Sequence, residues 1–174
     1  MRPQRRSARL KRRNPAALPW LDVGAGPAVL LDSCVYIDVL QRRAPHEVKS
    51  ALSARLINHS SVSLSELTHP FGHLDPTDDR TGDALSRISE FIATIPAHRL
   101  TTPSDAAFGQ SGMLAGLVMR LAGDGAPRAL QNDALLYLHA LERGFTVLTR
   151  NLRDFDYFDQ LAPSGRVLFY RQMD

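Results

Sequence analysis

The sequence predicts an α/β protein, a three-layer α/β/α sandwich with a mainly parallel central sheet. Two observations predict it. Short runs of strand length at 28–31 (AVLL), 60–65 (SSVSLS), 145–149 (FTVLT) and 166–170 (RVLFY) alternate with longer stretches of helical spacing. Strands that alternate with helices bury a parallel sheet between two helical layers, because each crossover lays a helix on a sheet face.

The elements follow in order. Residues 1–13 carry Arg2, Arg5, Arg6, Arg9, Lys11, Arg12 and Arg13 and no acid. A like-charged block repels itself, so 1–27 is expected to be a flexible basic extension whose Pro15, Pro19, Gly24, Gly26 and Pro27 mark a linker. The domain is then 28–174. Its first strand, 28–31, runs straight into Asp32 and Ser33, and Val35, Ile37, Val39 and Leu40 suggest a helix broken by Pro45. Val48, Leu52, Leu56 and Ile57 mark a second helix. The alternation at 60–65 predicts a strand that turns helical at Glu66 and is stopped by Pro70, with a loop over 69–80. Leu85, Ile88, Phe91 and Ile92 place a helix over 83–95, ended by Pro96. Thr102, Pro103, Ser104 and Asp105 offer a capped start for a glycine-interrupted helix reaching Leu121, before a loop at 123–127.

From Asn132 the signal sharpens. Asp133 opens a helix with Ala134, Leu135, Tyr137, Leu138 and Leu141 on one face, Gly144 terminates it, and the strand 145–149 follows. Residues 150–158 read as a charged, aromatic turn before the closing strand at 166–170.

Composition narrows the class. At 174 residues, 44% hydrophobic and 22% charged, the chain fits one globular domain. No apolar run approaches the roughly 20 residues of a membrane span, and the N-terminus lacks a secretory signal, so a soluble cytoplasmic protein is expected. The single cysteine, Cys34, excludes an intramolecular disulfide and a cysteine-rich zinc site, and is expected to pack as a small apolar residue. The six histidines are expected to take ordinary core or surface roles rather than bind zinc. The net charge of +3 hides an asymmetry: seven of the 21 basic residues precede residue 14, leaving 14 against 18 acids in the remainder. A basic tail binds polyanions by releasing their counterions; its bland reading is a solubilising extension.

In parallel sheets the functional crevice lies beyond the carboxyl ends of the strands. Asp32, Glu66 and the Asn151/Asp154 pair each follow a predicted strand, and Asp133 opens the helix that feeds the last. Converging carboxylates repel one another unless a cation neutralises them, and all-oxygen ligands select Mg²⁺ or Mn²⁺ over zinc. Such a site suits phosphodiester hydrolysis, which then needs no covalent nucleophile. Taken singly, Asp32 and Asp133 also read as ordinary helix caps. A phosphatase of the haloacid-dehalogenase type needs Asp-x-Asp after the first strand, and Asp32-Ser33-Cys34 lacks the second acid.

Three local contexts carry a family resemblance: LLDSCVYIDVL at 30–40, SVSLSELTH at 61–69 and NDALLYLHALERGFTVLTRNLRDFD at 132–156. In this order they resemble the acidic motifs of PIN-domain proteins, especially VapC-type toxins of bacterial toxin–antitoxin modules. The resemblance implies a PIN-like fold and a Mg²⁺-dependent endoribonuclease that cuts structured RNA such as transfer RNA. It also implies homodimers and a cognate antitoxin whose C-terminal segment enters the acidic groove. By the same resemblance Asp32, Glu66 and Asp133 are the core metal-binding acids. The fourth family position falls at Asn151, where many relatives carry an acid; Asp154 is expected to restore the charge and Asn151 to position it. Ser33 lies where relatives place a hydroxyl able to bond a metal ligand or the scissile phosphate. Arg150 is expected to hold RNA phosphate or to pair with a neighbouring acid, and Asp38 to face solvent. The Asn151 departure also admits a PIN-like module that binds RNA or a partner without cutting.

Overall fold

The computed structural model describes residues 7–123, 130–163 and 166–172. Arg2, Arg5 and Arg6 and most of the loop expected at 123–127 lie outside them. The elements are β1 (Val29–Leu31), α1 (Ser33–Leu40), α2 (His46–Ala54), β2 (Ile57–Ser60), α3 (Ser61–His73), α4 (Asp79–Ala93), β3 (Leu100–Thr101), α5 (Asp105–Ala122), α6 (Gln131–Arg143), β4 (Thr146–Thr149), α7 (Leu152–Leu161) and β5 (Val167–Phe169). The five strands form one parallel sheet in the order β3-β2-β1-β4-β5.

Strand alternation sorts the core into two layers. Leu30, Val147, Val167 and Phe169 face a cluster built with α5, α6 and α7, in which Tyr137, Phe155 and Phe158 are fully buried. Val29, Leu31, Leu148 and Leu168 face the other side, where Val35 and Tyr36 of α1, Val48 of α2 and Phe91 of α4 pack. The three-layer sandwich and the parallel sheet agree with the sequence.

Several boundaries differ from expectation. The second strand is Ile57–Ser60, not 60–65, because its polar residues are satisfied internally. Tyr36 Oη pairs with His59 Nδ1 at 2.8 Å, and Ser60 Oγ with His139 Nδ1 at 2.9 Å. Ser60 then caps α3, accepting the Val62 N–H at 3.1 Å, so Glu66 sits inside a helix rather than at its start. Pro70 does not stop that helix, which runs on to His73. The short β3 pairs with β2 and was not foreseen. Residues 150–158 are no turn: Asn151 caps α7, which buries Phe155, Phe158 and Leu161 at three-residue spacing.

Part of the N-terminal segment packs on the body. Over 10–21 it lies there, with Leu10, Leu18 and Leu21 buried. The Leu10 N–H bonds Leu121 O at 3.0 Å. Trp20 bridges Phe169 along the outer edge of β5, where the Phe169 N–H bonds Pro19 O and the Leu21 N–H bonds Phe169 O. Its apolar residues, spaced among the cations, find core positions that the charge pattern conceals.

Gly144 ends α6 as predicted, in the left-handed region at φ 72°, its N–H closing on Ala140 O and Leu141 O. An added Cβ would meet only Arg166 Nη1 at 4.0 Å. Gly144→Ala therefore carries a backbone penalty alone, an expected loss of about 1 kcal/mol in denaturant unfolding. A neutral result would remove the backbone argument.

Candidate active site

The strand order reverses between β1 and β4, and this switch point opens a crevice at their carboxyl ends. Asp32 leaves β1 there, its N–H bonded to Leu148 O of β4. Its carboxylate makes no cap to α1. Instead Oδ2 accepts Thr149 Oγ1 at 2.5 Å and Cys34 Sγ at 3.0 Å, and Oδ1 accepts Ser33 Oγ at 3.3 Å. Three donors from three positions fix one carboxylate.

Asp133 enters from the first turn of α6 and Asp154 from that of α7. Asn151 joins them: its Nδ2 donates to Asp133 Oδ2 and to Asp154 Oδ2, each at 2.9 Å. Asp154 is buried, and its Oδ1 has no hydrogen-bond partner among the described residues. Burial, then the Asp32 charge, the contact with Asp154 and the Glu66 charge push the Asp133 carboxyl up to about 9. Every named influence on it raises it, burial first and the neighbouring acids after it.

Glu66 stands further out on α3, where Asn132 Nδ2 donates to its Oε1 at 3.1 Å. A groove of about 540 Å³ begins at Glu66, Asn132 and Asp133 and runs along Gly112, Gly116 and Met119 of α5. Asp32, Asp133 and Asp154 thus share one crevice with Glu66 at its rim. Among the described residues, no three His, Cys, Asp or Glu side chains are gathered tightly enough to enclose a metal ion.

Two expected roles change. Asp38 does not face solvent: it is fully buried and accepts Tyr170 Oη at 2.7 Å. Arg150 takes the structural alternative, its Nε 2.9 Å from Asp38 Oδ2, an ion pair lacking hydrogen-bond alignment. Cys34 is not merely packing, since it donates to Asp32 and accepts the Arg150 N–H at 3.4 Å. Burial and the neighbouring Asp32 push its thiol well up, so it stays protonated.

Sequence reading also passed over Thr149, Asn132 and Tyr170. Only Thr149 and Asn132 left a signal, each adjoining a motif residue already singled out. His69 and His73, an overlooked H-x-x-x-H pair, stack on α3 with ring centroids 5.2 Å apart, but with no third ligand among the described residues.

No family model matches the sequence, and no curated protein matches it. Solved structures do. Chains of VapBC2 from Rickettsia felis bound to a promoter DNA fragment and of DNA-bound VapBC from Salmonella typhimurium both superpose with TM-score 0.57. Identity is 18% and 22%, over 83% and 82% of this chain and 99% and 97% of theirs. A toxin–antitoxin complex from Klebsiella pneumoniae gives TM-score 0.54 at 18% identity, over 83% of this chain and 99% of that chain. The chain has the PIN-like fold. Against this PIN-like frame, about a sixth of the chain has no counterpart in these neighbours. No helix among the described residues is long and apolar enough to cross a membrane.

Proposed function

We propose that the chain is a metal-dependent endoribonuclease of the VapC type, the toxin of a type II toxin–antitoxin module, that hydrolyses RNA phosphodiester bonds and is restrained by a cognate antitoxin. The observation that carries the reading is Asp133: a carboxyl raised to about 9 among three other acids, in the crevice where parallel sheets place their chemistry. The fold shared with toxin–antitoxin complexes supports it.

The donor set fits Mg²⁺ or Mn²⁺. It is all oxygen, and the buried, unpartnered Asp154 Oδ1 and the crowded Asp133 are groups that a hard cation would satisfy. Asp32, Glu66, Asp133 and Asp154 are the acids that would hold it, and they would have to draw closer to do so, since no three of them are gathered tightly enough here to enclose an ion. When bound, such a cation activates water and neutralises charge on the phosphodiester. The chain's own part is orientation. Thr149, Cys34 and Ser33 hold Asp32, while Asn151 spaces Asp133 from Asp154 and Asn132 steadies Glu66. The groove along α5 offers an RNA strand a path past the acids.

One observation favours a second reading, a PIN-like module that binds RNA or a partner without cutting. Asn151 already supplies donors to two of the four acids, easing their repulsion without a cation. The experiment is purified protein with a broad pool of labelled RNA, in Mg²⁺, in Mn²⁺ and in EDTA. Cutting in either metal that stops in EDTA is the expected result. Binding without cutting in both metals would leave the module reading standing in its place.

A further inference from the structure

The acids that face the groove repel the polyanion they are proposed to cut, so an RNA strand needs cations placed beside the site. The N-terminal arm carries cations on a segment that is docked to the body. Arg13 is its anchor: Nε pairs with Asp156 Oδ1 at 2.5 Å, Nη2 with Asp159 Oδ2 at 2.8 Å, and its N–H bonds Asp156 Oδ2 at 3.0 Å. Asp156 and Asp159 are buried on α7, the helix that carries Asp154. Gln160 Nε2 donates to Lys11 O at 3.0 Å, and Leu10 is buried with its N–H on Leu121 O. Leu121 is at the end of α5, the helix whose earlier turns line the groove through Gly112, Gly116 and Met119.

The anchors leave the adjoining cations outside. Arg9, Lys11 and Arg12 are exposed and form no ion pair with a described residue. The pattern is one of division of labour: Arg13 is spent on buried acids, while its three neighbours are held on the surface, from α7 to the end of α5. A solubilising tail needs no such fixing.

We propose that the docked arm is a phosphate clamp, in which Arg9, Lys11 and Arg12 hold the backbone of an RNA strand as it enters the groove. The proposal rests on the ribonuclease reading and adds to it the element that grips substrate. It makes the arm a sequence-independent contributor: it raises affinity for any strand and leaves the choice of cut to the groove.

The test uses the full chain carrying Asp133→Asn, to prevent cutting, with and without Arg9→Gln, Lys11→Gln and Arg12→Gln together. A labelled single-stranded RNA of about 20 nucleotides is titrated across a range of NaCl concentrations. Three lost phosphate contacts, at about 0.7 each on a single strand, should lower the slope of log K against log salt by about 2 and weaken binding about 10- to 100-fold near 0.1 M salt. Melting temperatures should match, since none of the three side chains is buried. RNA binding with unchanged slope and affinity in the triple variant would overturn the clamp and leave the ribonuclease intact. A loss confined to duplex DNA would overturn it equally. If the otherwise wild-type chain neither binds nor cuts RNA, the ribonuclease reading itself fails, and the clamp with it.

Discussion

Asp133→Asn is expected to lower RNA cutting by about 10²–10³-fold while making the metal-free protein more stable, two effects that separate only at a functional residue. Activity falls because the neutral amide removes one of the charges proposed to hold the cation. Stability rises for a reason that can be worked through in sign. In the unfolded chain the carboxyl ionises near 3.8, and in the folded chain near 9. Between these values the folded state retains a proton that the unfolded state has released, so stability falls as pH rises through the window. Asn carries no such proton and accepts from Asn151 in the same place. A gain of about 1–2 kcal/mol corresponds to roughly 2–8 °C in melting temperature for a chain of this size. It should be present at pH 8 and gone near pH 4. Melting curves at the two pH values check it, and a variant that cuts RNA at the wild-type rate, or gains nothing at pH 8, sinks the assignment.

Asp38→Ala should cost about 3 kcal/mol in urea unfolding. The carboxylate is fully buried and is the acceptor of Tyr170 Oη, with the Arg150 guanidinium 2.9 Å away. Truncation leaves the phenol without its acceptor and the cation without its counter-charge. Burial first, then Cys34 and Asp38, push the Tyr170 phenol up, so it remains a donor at every working pH and cannot adapt by ionising. The site feels this as well. Arg150 directly follows Thr149, whose hydroxyl holds Asp32, so cutting should fall about tenfold with the metal requirement unchanged. Asp38→Asn keeps an acceptor for Tyr170 and should lose less than half as much stability. Equal losses in the two variants would show that the carboxylate acts through volume alone.

The legible parts of the chain were those where one physical signal dominated. The unit from Asp133 to Thr149 was clear because a helical apolar face, a left-handed glycine and a branched strand stand in immediate succession. α7 was hidden because Arg153, Asp154, Asp156 and Asp159 crowd its ten residues. Those acids are buried, and two of them are matched by Arg13, 143 and 146 positions away. No local pattern can announce such a pairing. β2 was hidden for a related reason, since Asn58, His59 and Ser60 occupy a central strand through partners on other elements. Asp32 stood out at a strand end and Asp133 at a helix start, but Asp38 was misjudged because its phenol and guanidinium partners arrive from 132 and 112 residues downstream.

The docking of residues 10–21 against α7 and β5 also sets an order of events during synthesis. Leu10, Arg13 and Trp20 emerge from the ribosome early, yet their partners Leu121, Asp156 and Phe169 come more than a hundred residues later. The arm must wait, and contacts of such separation are closed late because their loop entropy falls due all at once. α7 brings both Asp154 and the acids that Arg13 neutralises. A chain still being translated lacks α7 until late, and with it both Asp154 and the buried acids to which Arg13 is tied.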